Sequence, residues 1–496
     1  MIISIEKIQP VMIAVDNILN KLTMYRLVLY VLTFLIAISF LFSFFNLLPF
    51  RFFDFFISTI ILTFCCWSIN TLISRILNIA SNFESSFISA FILVLIITPN
   101  LSLQGILFLL IASFITIVSK YFFKINKKHI FNPAAIAVVI TLLLGLGGAS
   151  WWIGNLVMLP FVSLGGFLII KKIKRFLMVG SFLLTATVGI LIFSLIYEID
   201  FLPTLQNLII YSPLLFFSTV MLTEPQTSPT IKKWQIVYGA FMGFLYGSIY
   251  FTPEQSLLLG NIFAFLVNSK VKQFLTLKQK TKIGPNIYYF LFSSQSKINF
   301  KAGQFLEWTL NHKNFDSRGV RRFFSIASSP TEDTIGLGVK FNENGSSFKT
   351  KLLELSIGEQ IMVSNLGGDF VLPDDKDKRL VFIAGGIGVT PFRSMLKFLM
   401  DKGEKRDIIF FYAAKTKEEF VFKDILEKAG KDLKVKIIYE TSILDKQRIK
   451  KEVNDFKERI FYISGPPSMV DAFKKSLSDI GISPIQIKTD YFPGYN

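Results

Sequence analysis

Between residues 27 and 268 the chain is a succession of apolar runs, near 27–48, 52–73, 87–98, 104–119, 131–148, 151–170, 176–197, 203–222, 234–251 and 255–268. Many of them reach about 17–22 residues, the length a helix needs to cross a hydrocarbon core of about 30 Å. The pattern predicts ten membrane-spanning helices, with loose ends where Pro or Gly interrupts a run. No cleavable leader pattern precedes them, so the first helix is expected to stay in place. Past Asn268 the runs become short and charged residues separate them.

The second half reads as two modules. Runs such as "NIYYFLF" and "GEQIMVS", punctuated by Gly, predict a small β-barrel. From "LVFIAGG" onward strand-like and helix-like stretches alternate: "PFRSMLKFLM", "DIIFFYAA", "KVKIIYE", "RIFYISG", "SMVDAFKKSL". That alternation predicts a parallel, doubly wound α/β sheet. The expected division is a membrane domain over 1–270, a basic linker over 271–281, the barrel over 282–376 and the α/β domain over 377–496.

Composition sharpens this. The chain is 52% hydrophobic with 54 Phe, more apolar surface than a soluble domain of 496 residues carries. Basic residues are placed unevenly between the runs. Counting from an N-terminus inside, one side holds Lys7, Lys21, Arg26, Arg75, Lys120, Lys124, Lys127, Lys128, Lys171, Lys172, Lys174, Arg175, Lys232 and Lys233, and the other only Arg51. By the positive-inside rule both termini are cytoplasmic, in a multi-pass protein expected in the plasma membrane. The net charge of +18 follows from those loops beside anionic lipid, and no nucleic-acid partner is expected. Cys65 and Cys66 are the only cysteines, and His129 and His312 the only histidines. Four thiolates for an iron–sulfur cluster and two membrane histidines for a haem are both out of reach, so no metal site is expected. Any electron carriers are organic.

Several short stretches carry possible chemistry. "VLIITPN" (94–100) and "VMLTEPQ" (220–226) close the third and eighth runs, each on a Thr with Pro beside it. That suits two inverted halves of five spans with a site near the membrane. For Asn132 and Thr223 the plainer reading is helix capping. In "RRFFSIASS" (321–329) Arg322 at a strand offers a clamp for phosphate, and Phe324, two residues on, lies on the same face and can cover a flat ring. "FIAGGIGVTPFRSML" (382–396) has the order strand, glycine turn, helix that brings backbone N–H groups to a pyrophosphate, with Thr390 as a cap and Pro391 in the first turn.

Two segments of the membrane half, "IFNPAAIAVV" (130–139) and "MLTEPQTSP" (221–229), resemble motifs of the membrane subunits B of sodium-pumping NADH:quinone reductase and D of the Rnf complex. The resemblance implies ten helices in two inverted five-helix repeats, with Asn132, Thr223, Glu224 and Thr227 near a flavin. Glu224 stands where that family has Asp. Its covalent flavin hangs from a Ser/Thr-Gly-Ala-Thr motif, and "GGAS" ending at Ser150 is the nearest match here. A non-covalent second flavin (FMN or riboflavin), or a quinone pocket, is therefore expected.

In the second half "FKAGQF", "RRFFSIAS", "NGSSFKTKLLEL", "NLGGDFVLP", "AGGIGVTPFRSM", "YISGPPSMV" and "DYFPGY" follow one another in the order of the ferredoxin–NADP reductase family. That resemblance implies FAD on the barrel and NADH or NADPH on the α/β domain. Arg322 would hold the flavin pyrophosphate, Phe324 would stack on the ring, and Ser325, followed by Ile326, would bond near the hydride-accepting nitrogen. Gly345, Ser346 and Ser347 would offer N–H groups to the flavin phosphates. Gly385, Gly386, Gly388, Thr390 and Pro391 would face the dinucleotide; Gly465, Pro466 and Pro467 would shape the nicotinamide site. Phe324 replaces the family's usual Tyr, and Ser464 a common Cys. Asp490 and Phe492 fall where relatives place an acid and an aromatic. Ser325, Ser464 and Asp490 are the expected catalytic residues, and "AAKTKEE" (413–419), with Lys415 and Lys417, the expected reader of a 2′-phosphate.

The reading is a membrane-bound flavoprotein oxidoreductase passing electrons from cytoplasmic NAD(P)H through FAD into the membrane domain. The acceptor would be a quinone or a redox partner protein, in the membrane or beyond it. Two alternatives stand beside it: a urea-channel-like solute or ion conduit with a regulatory reductase, and a reductase on an inert anchor.

Overall fold

The computed structural model describes residues 15, 19, 22–77, 83–125, 128–248, 250–268, 272–312, 315–316, 319–342, 345–442, 444 and 446–490. The chain forms two compact units, Met1–Asn268 and Ser269–Asn496.

Helices fall in every apolar run of the first unit: Met24–Phe44, Phe52–Ile76, Phe83–Ile96, Leu103–Phe122, Pro133–Leu143, Leu159–Ile173, Phe176–Ile196, the pair Phe201–Ile210 and Leu214–Met221, Lys232–Tyr246 and Pro253–Val267. Their starts follow local chemistry. The hydroxyl of Thr23 accepts the Arg26 N–H, that of Ser102 accepts the Gly105 N–H, and Thr252 with Gln255 makes a reciprocal capping box. Among the described residues four helices, Met24–Phe44, Phe52–Ile76, Leu103–Phe122 and Phe176–Ile196, are long and apolar enough to cross a membrane.

Three expectations change here. The run 203–222 is not one straight helix: its two pieces bend by 60°, with Pro213 at the break and a π-helical turn over Phe217–Met221. The run 151–170 becomes helical only at Leu159. Before it, Trp151 sits at φ +52° and the "GGASWW" segment folds back onto the end of Phe83–Ile96. The N–H groups of Ser150 and Trp151 both reach the Ile96 carbonyl at 2.9 Å, and the Trp152 indole reaches Val94 and Ile97. A polar loop thereby satisfies the open carbonyls of a helix end. The run 131–148 stops at Leu143: Gly145 takes φ +69°, and the N–H groups of Gly145 and Leu146 turn back to the Leu142 and Thr141 carbonyls, closing the helix.

Helices Phe176–Ile196 and Lys232–Tyr246 cross very closely. A Cβ on Gly239 would lie 2.2 Å from the Met178 carbonyl, on Gly243 2.2 Å from that of Phe182, and on Gly247 2.5 Å from that of Ala186. Three small residues at four-residue spacing meet three carbonyls at the same spacing, which lets the two backbones touch.

The expected linker 271–281 does not exist as a linker. After a two-residue pair, β1 (Lys124–Ile125) and β2 (Lys128–His129), the long strand β3 runs over Lys272–Gly284 and pairs with two neighbours. Its alternation buries Leu275 and Leu277 and exposes lysines, so the basic stretch is the wet face of a strand. With β4 (Ile287–Ser294), β5 (Phe305–Thr309), β6 (Arg321–Ser325), β7 (Ile335–Lys340) and β8 (Gln360–Gly367) it forms an antiparallel sheet in the order β6-β5-β8-β3-β4-β7. Past β6 the chain returns toward β7 through Ala327 N–H to the Gly336 carbonyl, 2.9 Å. Leu275, Phe290, Phe292, Leu306, Trp308 and Val363 fill its core.

The last five strands are parallel: β9 (Leu380–Gly385), β10 (Ile408–Ala413), β11 (Lys436–Glu440), β12 (Ile460–Ser464) and β13 (Ile487–Asp490), ordered β11-β10-β9-β12-β13. Along β9, Leu380, Phe382 and Ala384 enter one core with Phe392 and Leu396 of helix Thr390–Lys402, while Val381 and Ile383 enter another with Val470 and Phe473 of helix Pro467–Asp479. Burial on both faces explains why this strand reads as one apolar run. The strand order reverses between β9 and β12, so a ligand crevice belongs at their carboxyl ends.

Gly243→Val drives a side chain into the Phe182 carbonyl. It is expected to destabilise the first unit by about 1–3 kcal/mol, read as a lower unfolding midpoint in mild detergent. Gly180→Ala, at a position with nothing within 4 Å, is expected to leave the midpoint unchanged.

Candidate functional site

A cleft of about 540 Å³ opens at that reversal. One wall comes from β6 and β7, the other from the ends of β9, β10, β11 and β12.

The turn after β9 depends on two glycines. Gly386 takes φ +53°, and a Cβ on Gly388 would stand 2.4 Å from the Ser464 carbonyl at the end of β12. Only a residue without a side chain lets the turn lie over the neighbouring strand. Helix Thr390–Lys402 then starts with its first turn at the cleft. Thr390 does not cap it: its hydroxyl donates to the Ile387 carbonyl at 3.2 Å, and Val389 occupies the cap position. Gly385, Gly386, Gly388 and Thr390 line the cleft, and Pro391 is buried in the helix behind them. Ser464, Gly465, Pro466 and Pro467 line the adjacent side.

From the other wall Phe324 and Ser325 reach the cleft. The Ser325 hydroxyl donates to Asp490 Oδ2 at 2.5 Å, and Asp490 is the register partner of Ser464 across β12 and β13. Three residues far apart in the chain, Ser325, Ser464 and Asp490, therefore meet at one place. Phe492 lies outside the described residues.

Other expected contacts are not at the cleft. Arg322 is 1% exposed; its guanidinium lies 5.2 Å over the Phe348 ring and donates to the carbonyls of Gly319 (3.0 Å) and Arg321 (2.6 Å). Phe348 in turn packs 6.0 Å from Phe324, so Arg322 backs the ring that backs the cleft wall. Ile326 is in the sheet core. Ser346 caps helix Ser347–Glu354, and the Ser347 N–H donates to Asp316 Oδ2 at 2.9 Å, a carboxylate already seated where a phosphate was expected. Gly345 precedes them.

Sequence reading missed part of the cleft. Lys340, Asn342 and Lys349 line it, and Lys340 Nζ pairs with Glu419 Oε1 at 2.7 Å. Of the 413–419 segment Lys415 lines the cleft and Lys417 does not; Thr441 and Ser442, after β11, do. The signal was available, since doubly wound sheets present ligands to the carboxyl ends of their strands.

In the first unit Asn132, Glu224 and Thr227 meet. Asn132 caps helix Pro133–Leu143 with its carbonyl oxygen, bonding the N–H groups of Ala134 and Ala135 at 3.1 Å. Its amide nitrogen donates to Glu224 Oε2 at 2.8 Å, and Thr227 Oγ1 donates to the same oxygen at 2.9 Å. Thr223 stands apart, its hydroxyl bonding the Thr219 carbonyl one turn back. The sequence reading missed Asn261, which accepts the Asn132 N–H at 2.7 Å and donates to the Thr227 carbonyl at 3.3 Å. A lone Asn inside "LLLGNIFAFLV" was its signal. It also missed Glu254: 3% exposed, this acid accepts the Trp151 indole N–H at 2.8 Å.

Comparison with known proteins bears on the second unit. Residues 382–475 match the family model described as oxidoreductase NAD-binding domain. The flavohemoprotein of Bacillus subtilis is 27% identical over 293 residues, covering 55% of this chain and 70% of its own length. The human oxidoreductase NAD-binding domain-containing protein 1 is 29% identical over 226 residues, covering 38% and 69%. The C-terminal half is a flavin-dependent NAD(P)H oxidoreductase module. The solved ferredoxin–NADP+ reductase of Plasmodium falciparum aligns with 45% of this chain and 98% of its own at 18% identity and a TM-score of 0.40.

In this reductase module Gly388→Ala is expected to weaken NADH binding about tenfold or more, the equivalent of displacing one backbone contact. FAD content measured after denaturation is expected to stay at the wild-type level. NADH titration of the variant checks it; unchanged binding would mean the turn is not where the dinucleotide docks.

Proposed function

We propose that this protein is a membrane-bound oxidoreductase that takes hydride from cytoplasmic NAD(P)H in the reductase cleft and passes the electrons into its membrane half. From there they go to a quinone or to a redox partner, in the membrane or outside it. The observation that carries the reading is the meeting of Ser325, Asp490 and Ser464 at the reversal of the parallel sheet, opposite the glycine turn.

The residues fit a flavin and a dinucleotide. The cleft volume suits both rings, Phe324 offers a flat face, and the glycines leave backbone free to approach. FAD when bound supplies the conversion of a two-electron hydride into single electrons. This chain's share is to hold and orient. Phe324, backed by Phe348 and Arg322, would cover the ring. Ser325 holds a proton on Oγ directed at Asp490 Oδ2, so Asp490 fixes the hydroxyl at the cleft wall. Gly385, Gly386, Gly388, Thr390, Gly465, Pro466 and Pro467 would seat the dinucleotide. Its 2′ position would be read between Lys415 and the Thr441–Ser442 turn.

For the membrane half the reading is ten spans in two inverted halves, both termini cytoplasmic. Asn132, Glu224 and Thr227, braced by Asn261, would offer polar contacts to a non-covalent FMN or riboflavin or to a quinone head group. The buried Glu254 favours a second reading, a conduit for a cation or small polar solute, since an acid inside such a bundle seldom lacks a task.

Two measurements test this. The protein in mild detergent is denatured and its flavins counted by chromatography, before and after anaerobic NADH. FAD plus a second flavin, both bleached by NADH, is the expected result; FAD alone removes the membrane flavin. Separately, Ser325→Ala and Asp490→Ala are each expected to slow flavin reduction about 10²-fold with flavin content kept. Reduction at the wild-type rate in both would remove these residues from the chemistry.

A further inference from the structure

The two walls of the reductase cleft come from different layers, the antiparallel sheet and the parallel one, and something must hold them at a fixed separation. One buried link between them is Arg393. It is 5% exposed and lies one helical turn past Thr390. Its guanidinium grips the Glu332 carboxylate with both terminal nitrogens, NH1 to Oε2 and NH2 to Oε1 (2.9 Å), and NH1 also reaches the Ala327 carbonyl at 3.1 Å. Next to it Ser394 Oγ donates to the Ser328 carbonyl at 2.6 Å. Glu332 Oε2 accepts the Ser329 N–H at 2.5 Å, which folds the loop into shape to meet the arginine. Tyr289 and Phe422, one from each layer, place their rings 5.6 and 5.8 Å from the guanidinium carbon.

The position of this cluster matters more than its strength. Ala327 and Ser328 follow Ser325 by two and three residues. Arg393 and Ser394 follow the glycine turn by one helical turn. The cluster thus ties the backbone that carries Ser325 to the helix that begins at the dinucleotide turn. A partly buried ion pair adds little net stability, because desolvation offsets its attraction. It does impose geometry: a planar fork held by two carboxylate oxygens and packed between two rings has one orientation, which an ammonium cannot copy.

We propose that Arg393 and Glu332 are positioning residues for hydride transfer, setting the distance between the nicotinamide wall and the flavin wall of the cleft. The proposal rests on the hydride reaction of the preceding section. Neither residue touches the cleft; both act through Ser325 and the glycine turn.

The test uses the full-length protein, wild type, Arg393→Lys and Glu332→Gln, with NADH and 4-deuterated NADH and ferricyanide as acceptor. Both variants are expected to keep FAD content and the KM for NADH within about twofold and to lose about tenfold or more in kcat, the effect of a sub-ångström misplacement of reacting groups. The deuterium isotope effect is expected to rise above wild type and to become more temperature-dependent. As a readout independent of turnover, hydrogen exchange at 326–336 in FAD-stripped protein is expected to quicken, with exchange in β9 and β12 unchanged. Wild-type isotope effects and exchange in both variants overturn the proposal. So does a fall in kcat that only tracks lost FAD or general unfolding, the mark of a purely structural pair. A wild-type protein with no isotope effect and no NADH oxidation would instead sink the hydride reading itself.

Discussion

The reductase cleft depends on one close approach. A backbone turn after β9 lies against the end of β12, with 2.4 Å between the Ser464 carbonyl and the place a Gly388 side chain would take. Because that approach is possible, the turn closes over the reversal of the sheet instead of bulging away from it. Helix Thr390–Lys402 then leaves in a direction that buries Phe392, Met395 and Leu399 against β9 and β10 and turns Arg393 toward the antiparallel layer. The far side of the same junction is β13, which pairs with β12 so that Asp490 stands beside Ser464 and reaches Ser325. The meeting of three polar residues is thus a consequence of strand order and of one missing methyl group.

The first unit, with helices long and apolar enough to cross a membrane, follows a different constraint. Where water is scarce, each polar group must find a partner within the protein. Lys120 donates to the Ser85 carbonyl at 2.6 Å, Lys172 to that of Leu19 at 2.6 Å, and Arg175 to Ser228 Oγ at 2.5 Å. These three were counted among the basic residues that orient the chain. They sit near helix ends, bonding carbonyls or hydroxyls, with 9% or less exposed. Lys120 and Lys172, in the last turns of their helices, also suit the negative helix ends, whereas Arg175 stands at the start of Phe176–Ile196 and has only its bonding role.

How much of this was legible follows from the range of the forces involved. Apolar runs and glycine turns are local, and helices and strands lie where periodicity puts them. Strand β3 was misread because its exposed face, with Lys278, Lys280 and Lys282, carries the same letters as a basic linker, and only pairing with β4 and β8 tells them apart. Pro213 could be read, but not that a π-turn would follow it. At the cleft the motif residues on strand ends were found. Lys340 and Lys349, from the antiparallel layer, were missed, because what brings them there is the packing of two layers, which no short pattern records. Asp316 shows the same limit from the other side: an acid 31 residues before Ser347 takes the N–H that the motif reserved for phosphate.

The polar segment "LTEPQTSPT" shows how tertiary contacts sort residues that look equivalent in sequence. Thr223 and Glu224 are neighbours, yet the Thr223 hydroxyl turns back and commits its one O–H to the Thr219 carbonyl. Glu224 comes after the last turn, where the backbone no longer fixes direction, and its carboxylate collects N–H and O–H donors from Asn132 and Thr227. Asn261, from the last helix of the unit, then locks both partners by holding the Asn132 N–H and the Thr227 carbonyl. Replacing Asn261 by Leu keeps the size and removes both bonds, so Asn132 and Thr227 would lose the brace that aims them at one carboxylate oxygen. The order of the cluster formed by Asn132, Glu224 and Thr227 thus depends on Asn261, a residue that no motif names.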